Sequence, residues 1–353
     1  MPRPATIRSL ASQLGLSTAT ISEALRDSER VKPETRERVQ RAAREAGYER
    51  NPLLGATFSA LRRSRHLGFN GTIGLVDVAI DDRTELMLFH QEVVRGATKR
   101  AQELGFRTEL FWVGRTAPAL SVTRLNNVLF ARGIPGVIFL PFDQRQDFSR
   151  FDFSQIAAVG MDHRLSNPSL HTVQPDHYLS MHHAVAQLTA HGYRRIGLCL
   201  EARKDSRVDH KWSAGFLSQF REKPKGPPVP PLIAETLHKG TFTRWFRRYR
   251  PDVIVGHGQV VIDWLRALKI SVPEDVGFFR INTTERSDPC AGLDLRPHLL
   301  GATAVESVVA MLHRREHGIP RYPKSISVDA IWSDGPTIRP ERKPRASRTK
   351  KKT

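Results

Sequence analysis

From Thr72 almost to the C-terminus, short apolar runs rich in β-branched residues alternate with amphipathic helical stretches, and this constrains the fold more than any other feature. "TIGLVDV" (72–78) reads as a buried strand. It is followed by the helical "LFHQEVVRGATKRAQELG" and then by "FRTELFWV". "GVIFL" (136–140), "IAAVG" (156–160), "RIGLCL" (195–200), "DVIVG" (252–256) and "DVGFFRI" (275–281) continue the strand series. Helical segments such as "HYLSMHHAVAQLTAHG", "KWSAGFLSQFRE", "QVVIDWLRALK" and "LLGATAVESVVAMLHRREHG" separate them. A Pro-rich connector, "KPKGPPVPPL", interrupts the series, and "SISVDAIW" closes it as one extended segment. Strand and helix in alternation imply βαβ crossovers, hence mostly parallel sheets. The strands exceed what one sheet holds comfortably at this length, so two lobes are expected.

At 353 residues, with 39% hydrophobic and 26% charged, the chain can bury its cores without disulfides. Its two cysteines, Cys199 and Cys290, lack metal-ligand spacing and read as reduced core residues. The formal net charge of +19 makes nucleic acid or an anionic membrane surface a plausible partner. Part of that surplus is local, since "RPERKPRASRTKKKT" sets eight Lys or Arg against one Glu. Such a tail is either an auxiliary phosphate-contacting arm or a solvated, disordered end. No run of about eighteen apolar residues occurs, and the N-terminus lacks a signal-peptide core. The expected location is the cytoplasm, with nucleoid association and no membrane partner.

Residues 1–50 contain helical patterns only. Thr6 can cap a first helix whose Ile7, Leu10, Ala11 and Leu14 share a face. Gly15 allows a turn with positive φ. Ser17 or Thr18 can cap a second helix carrying Ile21 and Leu25. A third helix begins at Pro33, has Glu34 in its first turn, stops at Gly47 and presents Val39, Ala42, Ala43 and Ala46 inward. Three short helices with a tight glycine turn describe a helix-turn-helix, whose second helix enters the DNA major groove. A purely structural three-helix cap is the alternative. Arg3, Arg8, Arg36, Arg38 and Arg41 are candidate phosphate contacts, which position a protein on DNA without reading sequence.

"TIRSLASQLGLSTATISEALRDSERVKPETRERVQRAAREAGYERNP" resembles the headpiece of the lactose/galactose repressor (LacI/GalR) family nearly end to end. "TIRSLASQLGLSTATIS" fits each fixed place of the family pattern, and "ETRERV" and "AGY" fit later ones. "TIGLV", "GVIFL", "HGYRRIGL", "PDVIV" and "VPEDVGF" are similar to strings of the family's effector-binding core, so the resemblance covers about residues 5–340.

The resemblance implies an all-α helix-turn-helix headpiece followed by an α/β bilobed core like that of periplasmic binding proteins, with mostly parallel sheets. The implied organisation is a headpiece at 1–50, a hinge or linker at 51–70, a bilobed effector-binding and dimerisation core at 71–339, and a basic disordered tail at 340–353. Lobe 1 would take about 71–191 and 297–324, and lobe 2 about 192–296 and 325–339. The implied DNA-contact set is Thr6, Ser17, Thr18, Ala19, Thr20, Ser22, Glu23 and Arg26, with Phe58, Leu61 and Arg62 from the hinge. Thr18, Ala19 and Glu23 occupy the base-reading places. Thr18 can hydrogen-bond, and Ala19 can pack on a thymine methyl. Glu23 stands where relatives often carry Arg. It either accepts from cytosine N4 or turns to solvent or an Arg, so no operator sequence transfers from a relative.

In the hinge, Thr57 holds the place of the family's wedging leucine; Phe58 and Leu61 are the neighbouring wedge candidates, and Arg63 and Arg65 suit phosphate or minor-groove contacts. The implied effector pocket is Asp176, Trp212, His257 and Asn282. Asp176 matches a common acidic place, whereas Trp212 replaces a frequent hydroxyl-clamping Arg. His257 replaces a frequent Asn, and Asn282 a frequent Asp. Trp212 either stacks on a sugar or is a core aromatic in line with Phe216 and Phe220.

Enzymatic readings find little to stand on. His182 and His183 are adjacent, so on a helix they diverge by about 100° and do not readily share a metal. "MDHR" and "PDHY" set Asp beside His without a nucleophile, and no P-loop, "GxSxG" or "HExxH" is present. No catalytic residue, metal or cofactor is expected. The expected function is a homodimeric transcriptional regulator, a repressor by family analogy, that binds a pseudopalindromic double-stranded DNA operator under control of a small-molecule effector, sugars and sugar derivatives being one class that Trp212 still permits. A sugar-binding protein without DNA binding is the alternative, and a hydrolase-type enzyme a remote one.

Overall fold

The computed structural model describes residues 7–25, 28, 31–46, 71–78, 87–114, 119–142, 145–162, 165–222, 229–285 and 288–340. Thr6, Arg26, Phe58, Leu61, Arg62, the hinge and the basic tail beyond Pro340 lie outside them, as do the side chains of Ala19 and Ser22. The chain divides into two compact units, residues 1–68 and 69–353.

The first unit holds α1 (Ile7–Leu14), α2 (Thr18–Ala24) and α3 (Pro33–Glu45). Its core is the inward stripe of all three: Leu10, Ala11, Ile21, Ala24, Val31, Val39, Ala42 and Ala43. Gly15 sits at φ +66 just past α1, and the Leu16 N–H reaches back to the Ala11 carbonyl at 3.1 Å. That is the left-handed glycine stop that satisfies orphan helix carbonyls. Ser17, with extended backbone, caps α2: its Oγ accepts the Thr20 N–H at 3.0 Å. From α3, Arg38 donates to the Leu14 carbonyl and Gln40 to the Ala24 carbonyl, fixing the far ends of α1 and α2. Arg38, expected among the phosphate contacts, thus has a structural partner at 3.1 Å.

The second unit runs β1 (Thr72–Val78), α4 (Leu88–Glu103), β2 (Arg107–Val113), α5 (Val122–Ala131), β3 (Gly136–Phe139), β4 (Gln146–Asp147), β5 (Ala157–Met161), β6 (Leu165–Asn167) and β7 (His171–Pro175). It continues through α6 (His177–Ala190), β8 (Ile196–Glu201), α7 (Ala202–Ser206), α8 (Lys211–Glu222), β9 (Leu232–Ala234), α9 (Lys239–Tyr249), β10 (Val253–Gly256), α10 (Val260–Ala267) and β11 (Gly277–Arg280). It ends with β12 (Gly292–Asp294), α11 (Pro297–Arg314), β13 (Ser325–Val328) and β14 (Ile331–Ser333). One sheet has the order β13-β7-β5-β3-β1-β2 and is wholly parallel. The other, β14-β12-β11-β10-β8-β9, is parallel except for its antiparallel β12–β14 edge. Each is covered on both faces by apolar clusters, as parallel sheets require.

Two elements sit in the opposite lobe from the one expected. α6 was assigned to lobe 1, yet Met181, Ala184, Val185 and Leu188 pack with Trp212, Phe216 and Leu198 in the core of the second sheet. The helix approaches α8 so closely that a Cβ on Gly215 would lie 2.5 Å from the Tyr178 carbonyl oxygen. Residues 325–328 were assigned to lobe 2, but β13 pairs in parallel with β7, Ile326 opposite Val173. "SISVDAIW" is therefore two strands, one in each sheet, with Asp329 and Ala330 crossing between the lobes. The other crossings fall between β7 and α6 and between β12 and α11. No helix among the described residues is long and apolar enough to cross a membrane.

Candidate DNA interface and interlobe cleft

In the first unit, the packing face of α2 is Ile21 and Ala24, both at 0% exposure. Beside that face, Thr18, one turn before Ile21, is exposed, and Thr20 and Glu23 are half-buried. The Ser17 hydroxyl also bonds the Thr20 hydroxyl at 2.8 Å, so both are partly committed to holding the amino end of α2. Glu23 forms no ion pair with a described residue. One helix thus carries both an apolar packing face, Ile21 and Ala24, and polar side chains left outside it.

In the second unit the buried polar and charged residues are Asp77, His90, Asp162, Gln174, His177, Ser180, Asp205, His257, Arg280 and Asn282. All lie at the carboxyl ends of strands or in the turn and helix that follow. Buried polar groups are costly unless hydrogen-bonded or paired, and in open α/β sheets ligands bind at this edge. In the first lobe, His90 Nδ1 meets Asp77 Oδ2 at 2.8 Å where α4 begins beside the end of β1. After β5, Asp162 stands at φ +58 and its Oδ1 lies 3.4 Å from His177 Nε2 at the start of α6. The His177 ring meets the edge of Trp212 at 4.6 Å between centroids, and His257 lies on Trp212 at 6.4 Å.

The four expected pocket residues are thus placed as follows. Asp176 is half-buried and caps α6, accepting the Leu179 N–H at 2.9 Å. Trp212 is 1% exposed and packs in the core with Phe216 while its edge meets both histidines. His257 follows β10 and Asn282 follows β11; the Asn282 Oδ1 accepts the Thr284 N–H at 3.1 Å. Trp212 and His257 are brought together, and His177 joins Trp212 to the end of β5. Nearby, buried Asp205 accepts from Ser213 N, Ser213 Oγ and His210 Nδ1, holding Asp209 and His210 at φ +53 and +59. Asp209 in turn faces Arg145 of the first lobe at 3.9 Å. Among the described residues no group of three or more His, Cys, Asp or Glu is arranged to hold a metal ion. A groove of about 680 Å³ is lined by residues including Gln259, Arg266, Ile270 and Asp288.

Comparison with known proteins bears on both regions. Residues 6–51 match the model for bacterial regulatory proteins of the lacI family, and residues 185–328 match that for a periplasmic binding protein-like domain. The HTH-type transcriptional repressor CytR of Escherichia coli (strain K12) is 25% identical over 307 residues, covering 81% of this chain and 83% of CytR. The chain belongs to the LacI family. Among solved structures, the lac repressor dimer bound to operator and the anti-inducer ONPF has the same fold, with a TM-score of 0.55 and 17% identity over 95% of this chain and 99% of that one. The transcriptional regulator CelR in complex with cellobiose is similar at a TM-score of 0.56 and 18% identity, over 94% of this chain and 99% of that one.

For a LacI-family chain the two buried Asp–His pairs are the feature that motif reading passes over. "MDHR" and "PDHY" each set an Asp beside a His, but the pair that forms runs between the motifs, Asp162 of one to His177 of the other. Asp77 and His90 are thirteen positions apart and belong to no motif. The available signal was an acid within a strand-like run, "TIGLVDV", and a histidine in the first turn of the next helix.

Proposed function

We propose that this chain is a sequence-specific DNA-binding transcriptional regulator, a repressor, that acts as a homodimer under control of a small molecule bound between its lobes. The observation that carries the reading is the three-helix unit with a lacI-family match over residues 6–51, its second helix packed through Ile21 and Ala24 and leaving Thr18 exposed at its amino end. Thr18, Ala19 and Glu23 are the base-edge readers, supported by Ser17, Thr20 and Ser22, while Thr6 and Arg26 contact the backbone. Phe58, Leu61 and Arg62 act in the minor groove. Each subunit reads one half-site of a pseudopalindrome.

Asp176, Trp212, His257 and Asn282 lie about the effector site, where the polar residues of the core are buried. The effector acts by favouring one lobe arrangement over another, and the shift it produces is bounded by its differential affinity for the two. The regulator identity of the relatives supports a non-enzymatic role in the cytoplasm, at the nucleoid. The named ligand of CelR, cellobiose, makes carbohydrate the first class to test. Deleting residues 1–66 is expected to abolish operator binding and leave effector binding intact. Specific DNA binding by the truncated chain would refute the reading.

A further inference from the structure

We propose that the Asp77–His90 and Asp162–His177 pairs read the effector, and that they select a ligand presenting O–H or N–H donors and carrying no anionic group. The proposal rests on the cleft reading above and deepens it. His90 is 3% exposed and His177 is 2% exposed. In each ring one nitrogen faces a carboxylate, at 2.8 Å for His90 Nδ1 and 3.4 Å for His177 Nε2. In each the other nitrogen, His90 Nε2 and His177 Nδ1, is buried with no hydrogen-bond partner in the protein. Native structures leave few buried polar atoms in that state, and those that remain call for an explanation such as a ligand.

The carboxylates decide what the free nitrogens offer. With a single ring proton, that proton sits on the nitrogen facing the carboxylate, and the outer nitrogen is a lone-pair acceptor. Both outer nitrogens therefore ask for donors. Val76, Phe139 and Gly160 are in register across β1, β3 and β5, so Asp77 and Asp162 flank β3 at nearly one level. Two strand spacings set the strands that carry the two carboxylates about 10 Å apart. The surroundings disfavour an anion. Asp176 adds a third carboxylate nearby, and Arg145 and Arg280 face the acids Asp209 and Asp288.

The test uses the full chain and ring-matched sets built on glucose, galactose and ribose, each as the neutral sugar, an amino sugar, a phosphate and a carboxylate. Binding is read by calorimetry and by the rise in melting temperature of the core. The expected result is a neutral or amino member that binds at least about tenfold tighter than its anionic counterparts, consistent with the cost of leaving a buried acceptor unpaired. His90→Phe and His177→Phe should each lose at least about tenfold, while His90→Gln, which keeps an acceptor, should lose less. Asp162→Asn presents an N–H to the ring and moves its proton outward. It should weaken an amino ligand, which cannot accept that proton, and spare a neutral hydroxyl, which can; this separates the two donor sources. The melting transition of residues 69–353 without ligand reports that each variant is folded. Tighter binding of a phosphate or carboxylate, or silence across all sets, overturns the proposal. Either result leaves operator binding in place, so it is distinct from failure of the regulator reading, which would appear as loss of headpiece-dependent DNA binding in the unsubstituted chain.

Discussion

One helix should yield two opposite phenotypes. Ile21 on α2 is fully buried against Leu10, Val39 and Ala43, whereas Thr18, one turn earlier, is exposed. Truncating a buried Ile to Ala costs about 2–5 kcal/mol, through lost transfer energy and the cavity left behind. A unit of 68 residues has a total stability of about 3–10 kcal/mol at typical per-residue values. Ile21→Ala therefore removes a large share of the stability, and at about 4–8 °C per kcal/mol its melting point should fall by at least about 8 °C. Thr18→Ala touches no core contact, so its stability should stay within about 0.5 kcal/mol of the parent. Operator affinity should nevertheless drop by about 1–3 kcal/mol, the worth of a specific base contact. The assay is circular dichroism melting of each variant beside titration of its selected operator. In both, the transition of residues 69–353 should stay where it is. Unchanged operator binding by Thr18→Ala, or an unshifted headpiece transition in Ile21→Ala, would refute the division of α2 into packing and reading faces.

The remaining expectations concern the core. Trp212→Ala should destabilise the second unit by about 3–5 kcal/mol while leaving headpiece melting unchanged, since Trp212 is a fully buried core residue as well as a neighbour of His177; calorimetry of the two transitions checks this. Gly215→Val should lower the core transition, because even its Cβ meets the Tyr178 backbone at 2.5 Å and the α6–α8 crossing must open. Burial pushes the Cys199 thiol up to about 12 and also raises that of Cys290. At pH 8 neither should react with a disulfide reagent in the folded chain, and both should react once denaturant exposes them.

Much of this architecture is legible from local pattern. The runs "TIGLVDV", "GVIFL" and "DVIVG" are strands, and the Gly15 turn and Ser17 cap fall where turn and cap chemistry put them. What local pattern does not encode is partnership. α6 reads as amphipathic either way, and only the packing of Met181 and Val185 on Trp212 and Phe216 assigns it to the second lobe. "SISVDAIW" is continuous in hydrophobicity, and its division into two sheets depends on pairing with β7 and β12. The Asp–His pairs escape for the same reason: they join a strand end to the next helix or the next strand's exit, a contact made by topology rather than by spacing. Trp212 shows that two readings of one residue need not exclude each other, since it packs with Phe216 and also lies against His177 and His257.

The central claim is sequence-specific DNA reading by paired headpieces, and selection from random duplexes with the full-length protein tests it most directly. The account predicts enrichment of a pseudopalindrome with two half-sites, lost when residues 1–66 are removed and weakened steeply by salt as phosphate contacts require. Enrichment of no symmetric site, or of the same site by the truncated chain, would contradict it.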